Sequence, residues 1–409
     1  MEHSIDRPLS NGSGSIAATT HLIDCYRQEM PFFFSSPAVS LLVESSDQCQ
    51  PLALKLENSL AEQCESLLKK VSEEGAPQAM IVGAIPFDNL QPCRLWLANA
   101  VRREIHGEAP RVAVSRKRVG IPVQTLRQRP LPCEFESSVD KALVCMRKGA
   151  LQKVVMARTL EIEGVSSFPC EQVVQCLAAG NVLGYTFALD LPVPFGSPAS
   201  TLVGASPELL IAKKGMRIFA NPLAGSLPRS ADAQEDAARA NRLLHSTKDR
   251  HEHALVIAGI REALAPLCRN LSIPQEPVLV QTPTMWHLAT PIEGELLSAD
   301  ITVMALMLAM HPTPAVGGYP LPLARDFLRQ AESFNRGLFT GAVGWCDAHG
   351  DGEWAVTIRC AELQGKKARL FAGAGVVPGS DPVAERRETG AKFATMLNAL
   401  GVIGVPEEV

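Results

Sequence analysis

The chain has 409 residues, 46% of them hydrophobic, so it can bury a sizeable core in one large domain or in several small ones. Its 39 lysines and arginines against 43 aspartates and glutamates give a net charge of −4 without a long run of one sign, which argues against a nucleic-acid partner. The N-terminus lacks the pattern of a secretion signal, and no window has the ~18 apolar residues of a membrane span, so a cytoplasmic protein without a membrane partner is expected.

The cysteines and histidines form no recognisable metal motif. Eleven cysteines are scattered without a CxxC pair or zinc-like spacing, so they are expected to be reduced and mostly buried. His251 and His253 flank Glu252 and raise the alternative of a transition-metal site. Residues two apart on one helix face different directions, which argues against that alternative.

The N-terminal residues predict a leader before the folded domain. Residues 1–30 are polar, rich in Ser, Gly and Thr and without sustained periodicity, which is typical of a loose segment. The folded domain is therefore predicted to span residues 31–409, and no internal repeat divides it.

The first elements of this domain are a mixture of helices and strands. Apolar residues recur at helical spacing from Leu56 to Val71, and the segment AMIVGAIPF that follows predicts a buried strand. Another helix is predicted over 137–148, with Ser137 or Ser138 as its N-cap.

The segment KVVMARTLEIE predicts a strand that carries two cations on opposite faces. Side chains alternate along a strand, so Lys153 shares a face with Val155 and Ala157, whereas Arg158 lies on the other face. If both faces of the strand are covered, at least one of these cations must face something other than solvent.

The rest of the chain predicts hairpins and two helical regions. The segment 201–220 suggests two strands joined at a KKG turn, and 231–264 suggests a long helix with a break near Ser246. FTGAVGWCDAHGDGEWAVTIRCAEL predicts a hairpin, ARLFAGAGVV predicts a further strand, and the last helix begins with Asp381 as N-cap and Pro382 in its first turn. This order predicts an α+β fold with hairpins rather than repeated βαβ units.

Two acidic pairs lie on two different predicted helices. Asp249 and Glu252 are three residues apart, as are Glu385 and Glu388, so each pair shares a helix face. Four carboxylates in two matching pairs suit a hard dication with oxygen ligands, and magnesium is the natural candidate. Acidic residues at this spacing are also common on solvated helices, so spacing alone leaves both interpretations open. Lys392, four residues after Glu388, suits a helix-stabilising ion pair.

Several segments, taken together, resemble a known enzyme family. In chain order they are KVVMAR, GASPELL, NPLAGSLPR, STKDRHEH, TPTMWHLATPIEG, HPTPAVGGYP, TIRCAEL and LFAGAGVVPGSDPVAERRETGAK. They resemble the chorismate-utilising enzymes, which make isochorismate, anthranilate, aminodeoxychorismate and salicylate, and the resemblance covers about residues 75–403. With the early segments PFFFSSP and VGAIPFD, the chain is most similar to the isochorismate synthases of catechol-siderophore pathways. The resemblance implies one large catalytic domain of antiparallel sheets packed together with helices on the outside.

The resemblance implies a base and an acid for the chemistry. Isochorismate formation adds water at C2 of the ring and expels the hydroxyl at C4, and the resemblance makes Lys153 the base and Glu208 the acid. A lysine base must lose its proton near neutral pH, whereas a carboxylic acid must keep one, and burial favours both. Without the resemblance, Lys153 is a charge at a strand edge and Glu208 is a turn residue. His287 is implied to orient the leaving hydroxyl, with a buried core histidine as the alternative.

The resemblance also implies how chorismate and Mg²⁺ are bound. Magnesium, held directly by Glu252 and Glu388 and through water by Asp249 and Glu385, would bind the ring carboxylate. Arg359 is implied to anchor the enolpyruvyl carboxylate, because its planar guanidinium can donate two parallel hydrogen bonds. The AGAG run at residues 372–375 is implied to let backbone N–H groups approach the same carboxylate, although a GAG run alone is also typical of a tight turn. The other implied substrate-binding residues are Gly225, Ser226, Ala315, Phe339, Gly373, Ala374, Gly375 and Lys392.

Three positions bear on which family member the chain resembles. Lys153 favours water over ammonia as nucleophile, since the anthranilate-forming relatives usually carry glutamine there, although an aminodeoxychorismate-forming branch also keeps lysine. Ala315 favours release of isochorismate, since salicylate-forming relatives tend to carry threonine. Gly337 is a departure, because similar relatives carry glutamate, and it leaves the shape of the nearby wall open.

The implied function is Mg²⁺-dependent conversion of chorismate to isochorismate by a monomer, in siderophore biosynthesis. Two alternatives lie within the family, a salicylate synthase that also eliminates pyruvate and an isochorismate synthase of the menaquinone pathway. A third alternative is a regulator that binds chorismate without catalysis, because a fold does not guarantee an activity.

Overall fold

The computed structural model describes residues 21–107, 120–149 and 151–405. Most of the predicted leader, residues 1–20, lies outside the described residues. Residues 21–30 belong to the fold, because Leu22 and Tyr26 are buried against its core. The described packing therefore begins before residue 31.

The described chain contains nine α-helices, and several of them lie where the sequence predicted helices. The chain has α1 Leu22–Cys25, α2 Leu60–Glu73, α3 Pro132–Arg147, α4 Cys170–Gly180, α5 Ala233–His245, α6 Thr247–Leu264, α7 Val303–Met310, α8 Leu321–Ala331 and α9 Pro382–Leu400, with a 3-10 turn at Ala265–Leu267. The break near Ser246 and the Asp381 cap are confirmed, because Ser246 Oγ accepts from the Asp249 N–H and Asp381 Oδ1 from the Ala384 N–H. No described helix is long and apolar enough to cross a membrane.

The predicted start of α3 is wrong. The helix begins at Pro132, whose fixed φ suits a first helical turn. Glu134 accepts a hydrogen bond from the Leu131 N–H at 2.9 Å, which satisfies a backbone donor at the helix start. Ser138 is therefore a buried interior residue rather than a cap.

The strands form two large sheets and one small one. They are β1 Phe32–Ser35, β2 Val39–Val43, β3 Cys49–Leu52, β4 Met80–Ile85, β5 Arg94–Ala98, β6 Arg102–Ile105, β7 Ile121–Arg129, β8 Lys153–Gly164, β9 Tyr185–Leu191, β10 Ser200–Ser206, β11 Leu209–Lys214, β12 Arg217–Asn221, β13 Leu223–Pro228, β14 Cys268–Ser272, β15 Val278–Gln281, β16 Met285–Ala289, β17 Ile292–Leu296, β18 Gly318–Tyr319, β19 Ala342–Asp347, β20 Gly352–Val356, β21 Cys360–Gln364, β22 Lys367–Val376 and β23 Val402–Ile403.

Strand pairing is antiparallel throughout the described chain except between β7 and β23. The eleven-stranded sheet has the order β23-β7-β8-β22-β21-β10-β9-β1-β2-β6, with β18 beside β8. The nine-stranded sheet has the order β14-β17-β12-β11-β20-β19-β4-β5-β3, and the small sheet is β13-β16-β15. The prediction of two strands over 201–220 is wrong, because this segment contains three, and the first belongs to a different sheet from the other two.

The two large sheets pack face to face. Phe34 and Leu41 of the eleven-stranded sheet share a buried cluster with Val82 and Trp345 of the nine-stranded sheet. Helices α2, α6 and α7 cover the outer face of the nine-stranded sheet, and α4 and α9 cover part of the outer face of the eleven-stranded sheet. The predicted α+β domain of packed antiparallel sheets with helices outside is confirmed.

The chain crosses between the two large sheets at two short connections that matter for the site. Pro207 and Glu208 join β10 to β11, and residues 357–359 join β20 to β21. The predicted acid Glu208 and the predicted carboxylate anchor Arg359 therefore both lie at the seam between the sheets.

Candidate active site

A cavity of about 630 Å³ of empty space opens at this seam, close to β8, β13, β16, β22, α6 and α9. Most of the predicted site residues line it. They are Glu208, Gly225, Ser226, Glu252, His287, Ala315, Phe339, Arg359, Gly373, Gly375, Glu388 and Lys392. Side chains far apart in the sequence are thus brought to one place.

Lys153 lies beside this cavity at the start of β8. Its side chain is fully buried, and Nζ forms an ion pair with Glu252 Oε1 at 3.0 Å. Glu252 in turn lines the cavity from α6. The predicted base therefore lies against a predicted metal ligand that lines the cavity, although Lys153 is not itself among the lining residues.

Glu208 is a buried carboxyl group in the connection between β10 and β11. Burial raises the pKa of Glu208 to about 7. A hydrogen bond from the Leu223 N–H and the charges of Lys153, Arg359 and Lys392 lower this pKa but do not outweigh burial. The Leu223 N–H donates to Oε1 at 3.3 Å, so the backbone of β13 orients the group. A carboxyl group with this pKa keeps a proton to give near neutral pH.

Arg359 and His287, which both line the cavity, form a buried contact with each other. Arg359 Nη2 donates to His287 Nε2 at 3.3 Å, so Nε2 carries no proton of its own. Burial, together with Arg359 and Lys392, holds the pKa of His287 well below its ordinary value, so the imidazole is neutral. Because the described residues provide no ion-pair partner for Arg359, its guanidinium is available for a substrate carboxylate.

The backbone of Arg359 is held in an unusual conformation. Its φ is 51°, in the left-handed region that non-glycine residues rarely adopt. Thr340, which also lines the cavity, has a φ of 61°. Strained residues of this kind concentrate at functional sites, where the surrounding structure keeps them in place.

The two acidic pairs of α6 and α9 meet at the cavity, and lysines lie between them. Lys248 Nζ is 2.6 Å from Glu385 Oε1 and 3.9 Å from Asp249 Oδ1, so it joins the two helices. Four carboxylates raise the pKa of Lys248 against the effect of burial, which shows how closely these groups converge. The sequence offered only one signal for Lys248, its position immediately before Asp249.

The two glutamates of α9 differ in their surroundings. Burial and the neighbouring charge of Glu388 raise the pKa of Glu385 to about 7. Burial alone would raise the pKa of Glu388, but Lys392 and Lys248 outweigh it and hold that pKa below its ordinary value. Lys392 Nζ is 2.6 Å from Glu388 Oε1, and Ser226 Oγ donates to the same oxygen at 2.8 Å.

The chemistry of these four carboxylates fits a hard dication, although their spacing is set by lysines. Among the described residues, no three acidic, histidine or cysteine side chains are grouped closely enough to hold a metal as they are. Two glycines leave room for the carboxylates: a Cβ at Gly375 would lie 2.0 Å from Glu252 Oε1, and one at Gly225 would lie 3.0 Å from Asp249 Cβ. Oxygen donors with excess negative charge are the ligands that Mg²⁺ prefers.

Three residues discussed in the sequence lie away from the cavity. Ala374 is buried but does not line it, because its side chain alternates with Gly373 and Gly375 along β22. Gly337 also lies off the cavity wall, and its φ of 55° suits glycine better than glutamate. His253 is buried, with Nε2 2.7 Å from Thr290 Oγ1, so it serves the core rather than a metal.

Some cavity residues were not predicted. Val155, Val316, Thr340, Ile358 and Phe371 supply much of the wall. Their side chains are small or apolar, and nothing in their local sequence distinguishes them from core residues. Only the fold identifies them.

Comparison with known proteins finds relatives that match most of the chain. A family model described as chorismate binding enzyme matches residues 96–401. The isochorismate synthase DhbC of Bacillus subtilis is 42% identical over 387 residues, which cover 93% of this chain and 96% of that protein. The vibriobactin-specific isochorismate synthase of Vibrio cholerae is 38% identical over 393 residues, which cover 95% of this chain and 96% of that protein.

Solved structures show the same fold. The crystal structure of DhbC from Bacillus anthracis superposes with a TM-score of 0.86 at 39% identity and covers 93% of this chain and 98% of that chain. MenF, the menaquinone-specific isochorismate synthase of Escherichia coli, superposes with a TM-score of 0.73 at 21% identity and covers 91% of this chain and 88% of that chain. At that lower identity the likeness concerns the fold alone.

Proposed function

Because the chain belongs to the chorismate-binding enzyme family, we propose that it is an isochorismate synthase that converts chorismate to isochorismate with the help of Mg²⁺. One observation carries the proposal. A buried acid with a pKa of about 7, Glu208, shares a cavity with Arg359, which has no ion-pair partner among the described residues, and the buried Lys153 lies beside this cavity in contact with Glu252.

The reaction requires a base and an acid, and the chain supplies both. Lys153 takes a proton from a water molecule as the water oxygen bonds to C2 of the ring, and Glu208 gives its proton to the hydroxyl that leaves C4 as water. One water is consumed and one is released, so the product is an isomer of the substrate. The pKa of Glu208, raised by burial, supports the second role.

The two carboxylates of chorismate need two separate sites. Arg359 anchors the enolpyruvyl carboxylate, since its guanidinium can donate two parallel hydrogen bonds and forms no ion pair with the part of the chain that the structure describes. His287, neutral and fixed by Arg359, offers its remaining N–H toward the leaving hydroxyl. Gly225, Ser226, Gly373 and Lys392 lie where the ring carboxylate would enter.

Glu252 and Glu388, with Asp249 and Glu385 beside them, would hold Mg²⁺. When bound, the ion supplies positive charge for the ring carboxylate of the substrate. Glu252 Oε1 also contacts Lys153 Nζ at 3.0 Å, so this carboxylate lies between the proposed base and the group of residues that would hold the ion. Lys392 keeps Glu388 ionised and oriented through its 2.6 Å contact.

The product is proposed to leave as isochorismate for siderophore biosynthesis. Ala315 lines the cavity with a methyl group, which gives no hydroxyl to assist elimination of pyruvate. The similarity to the vibriobactin-specific enzyme supports the siderophore pathway over the menaquinone pathway.

The test is incubation of the purified chain with chorismate and Mg²⁺, followed by chromatographic identification of the product. Isochorismate is expected, and chelation of the metal should stop its formation. Fluorescent salicylate formed without a second enzyme would identify a salicylate synthase instead. Thermal stabilisation by chorismate without any product would identify a binding protein that lacks catalysis.

A further inference from the structure

Within the described residues, one edge of β8 has no neighbouring strand just after the proposed base. On this edge β18 pairs with Lys153 and Val154, and β7 pairs only from Thr159 onward. The Val155 N–H still donates to the Gly317 carbonyl, at 3.1 Å. The next two backbone groups that point to this edge, the Val155 carbonyl and the Ala157 N–H, have no strand to pair with.

An ion pair satisfies these two groups. Glu332 Oε1 accepts from the Ala157 N–H at 3.0 Å, and Arg336 Nη2 donates to the Val155 carbonyl at 2.5 Å. The two side chains bind each other through two contacts, Nη2 to Oε1 at 2.6 Å and Nε to Oε2 at 2.8 Å. One acceptor and one donor are therefore presented to β8 in the way that a residue of an adjacent strand would present them.

The same arginine also contacts two other segments of the cavity wall. Arg336 Nη1 donates to the Val316 carbonyl at 2.9 Å and to Thr340 Oγ1 at 3.3 Å. Val155, Val316 and Thr340 all line the cavity, whereas neither Glu332 nor Arg336 does. The ion pair thus connects the three segments that carry Val155, Val316 and Thr340, without itself lining the cavity.

The pair is almost entirely removed from water, and its position is closely determined. The exposed fractions of the Arg336 and Glu332 side chains are 3% and 6%, and the guanidinium lies 4.5 Å from the centre of the Phe87 ring. Buried ion pairs often add little stability compared with apolar residues of the same size, so stability alone does not account for this pair. The contacts of the pair include Thr340, whose backbone is strained.

We propose that Glu332 and Arg336 are positioning residues that replace a missing strand beside β8 and thereby hold the base strand, the 313–317 loop and Thr340 in register around the substrate. The role in turnover rests on the proposed function. The role as a strand substitute does not, so the two can be tested separately.

The structural part is tested by hydrogen exchange with mass spectrometry on Glu332→Ala and Glu332→Gln. The Gln side chain keeps an oxygen for the Ala157 N–H, so exchange around Ala157 should accelerate in Glu332→Ala and remain slow in Glu332→Gln. The part of β8 paired with β7, residues 159–164, should stay protected in both variants. Unchanged exchange at Ala157, or equal acceleration along the whole of β8, would overturn the proposal.

The functional part is tested by steady-state kinetics on Arg336→Lys, which keeps the charge but loses the planar set of donors. Since displacement of reacting groups by about 1 Å can cost on the order of 100-fold, kcat should fall by about 10- to 100-fold. KM should change little, because Arg359 and Lys392 do not contact the pair. The matched control is Arg329→Lys, which alters an exposed ion pair of α8 with Asp326 and should leave both constants unchanged.

The outcomes separate the two levels. A normal kcat in Arg336→Lys, or a rise in KM with kcat unchanged, would overturn the positioning role. An inactive wild-type chain would refute the proposed function, while the exchange results would still decide whether the ion pair substitutes for a strand. Thermal unfolding of Arg336→Lys, compared with that of Glu332→Gln, shows whether a loss of turnover comes from misfolding.

Discussion

Strand β8 buries two cations on opposite faces, and their surroundings differ completely. Lys153 is opposite a carboxylate, 3.0 Å from Glu252, at the edge of a cavity. Arg158 donates to neutral oxygens, Thr389 Oγ1 and Gln128 Oε1, both at 2.6 Å. The rings of Phe135 and Phe393 flank its guanidinium, and it has no ion pair within the described residues.

The contrast shows that burial alone does not identify a catalytic cation. Both side chains are fully inaccessible, yet only one adjoins space that a substrate can occupy. Burial lowers the pKa of Arg158 to about 10, so this side chain stays charged near neutral pH. Its hydrogen bond to Thr389 of α9 holds that helix against β8. We therefore expect substitution of Lys153 to reduce turnover and substitution of Arg158 to reduce stability.

The largest effect is expected from Lys153→Ala. Removal of the base should reduce kcat by on the order of 100-fold or more, with chorismate binding largely retained, because the carboxylate anchors are intact. Turnover should be measured by product chromatography and binding by calorimetry. Lys153→Arg is the informative companion, since arginine keeps the positive charge beside Glu252 but does not give up a proton. Full activity in Lys153→Arg would contradict the assignment of the base.

A comparable loss of about 100-fold is expected from Glu208→Gln, which keeps the shape of the acid but not its proton. The acid form of Glu208 is populated below its pKa of about 7, so wild-type kcat should fall as the pH rises above that value. A pH profile of kcat measures this. The profile of Glu208→Gln should lack that decline in its residual activity, and a profile that kept it would assign the decline to another group.

A smaller effect is expected when the partner of Lys153 is changed. Glu252→Gln should weaken Mg²⁺ binding by at least ~10-fold, the size of loss typical even of residues outside the ligand sphere. Calorimetric titration with Mg²⁺ measures this affinity directly. Glu235→Gln, a change at an exposed glutamate of α5, is the control and should leave the titration unaltered. An unchanged titration in Glu252→Gln would count against a metal site between α6 and α9.

The smallest effect on turnover is expected from Arg158→Met. Loss of hydrogen bonds from a charged donor should lower the free energy of unfolding by about 1–3 kcal/mol, as measured by urea denaturation. The kcat of the folded variant should remain close to that of the wild type. If Arg158→Met lost turnover as severely as Lys153→Ala without losing stability, the distinction between the two faces of β8 would fail.

Local elements of the fold were predictable, and their assembly was not. The periodicity before Gly75 and the cap at Asp381 indicate α2 and α9, because these signals lie within a few residues of each other. Besides their sequence neighbours β9 and β12, β10 pairs with β21 and β11 pairs with β20, both about 150 residues away, and no local signal indicates that consecutive strands enter different sheets. For α3 the local signal of Pro132 and Glu134 outweighs the N-cap preference of Ser137 and Ser138.

The site shows the same division. Spacing brought out the acidic pairs of α6 and α9, and the resemblance supplied roles for Lys153 and Glu208. Neither indicated that Lys248 joins the two helices, or that Glu332 and Arg336 complete the edge of β8. Those contacts depend on how distant segments approach one another, which the linear sequence does not contain.

The position of Glu208 and Arg359 at two of the crossings between the large sheets has a consequence for how the enzyme can change over evolution. Because each residue is joined to a strand of both sheets, a small slide of one sheet over the other would alter the distance between the acid and the groups on β8. Substitutions in the interior, remote from any ligand, can therefore retune the rate without altering a single contact residue. Variation among natural homologues in the layer between the sheets is where such adjustment should be sought.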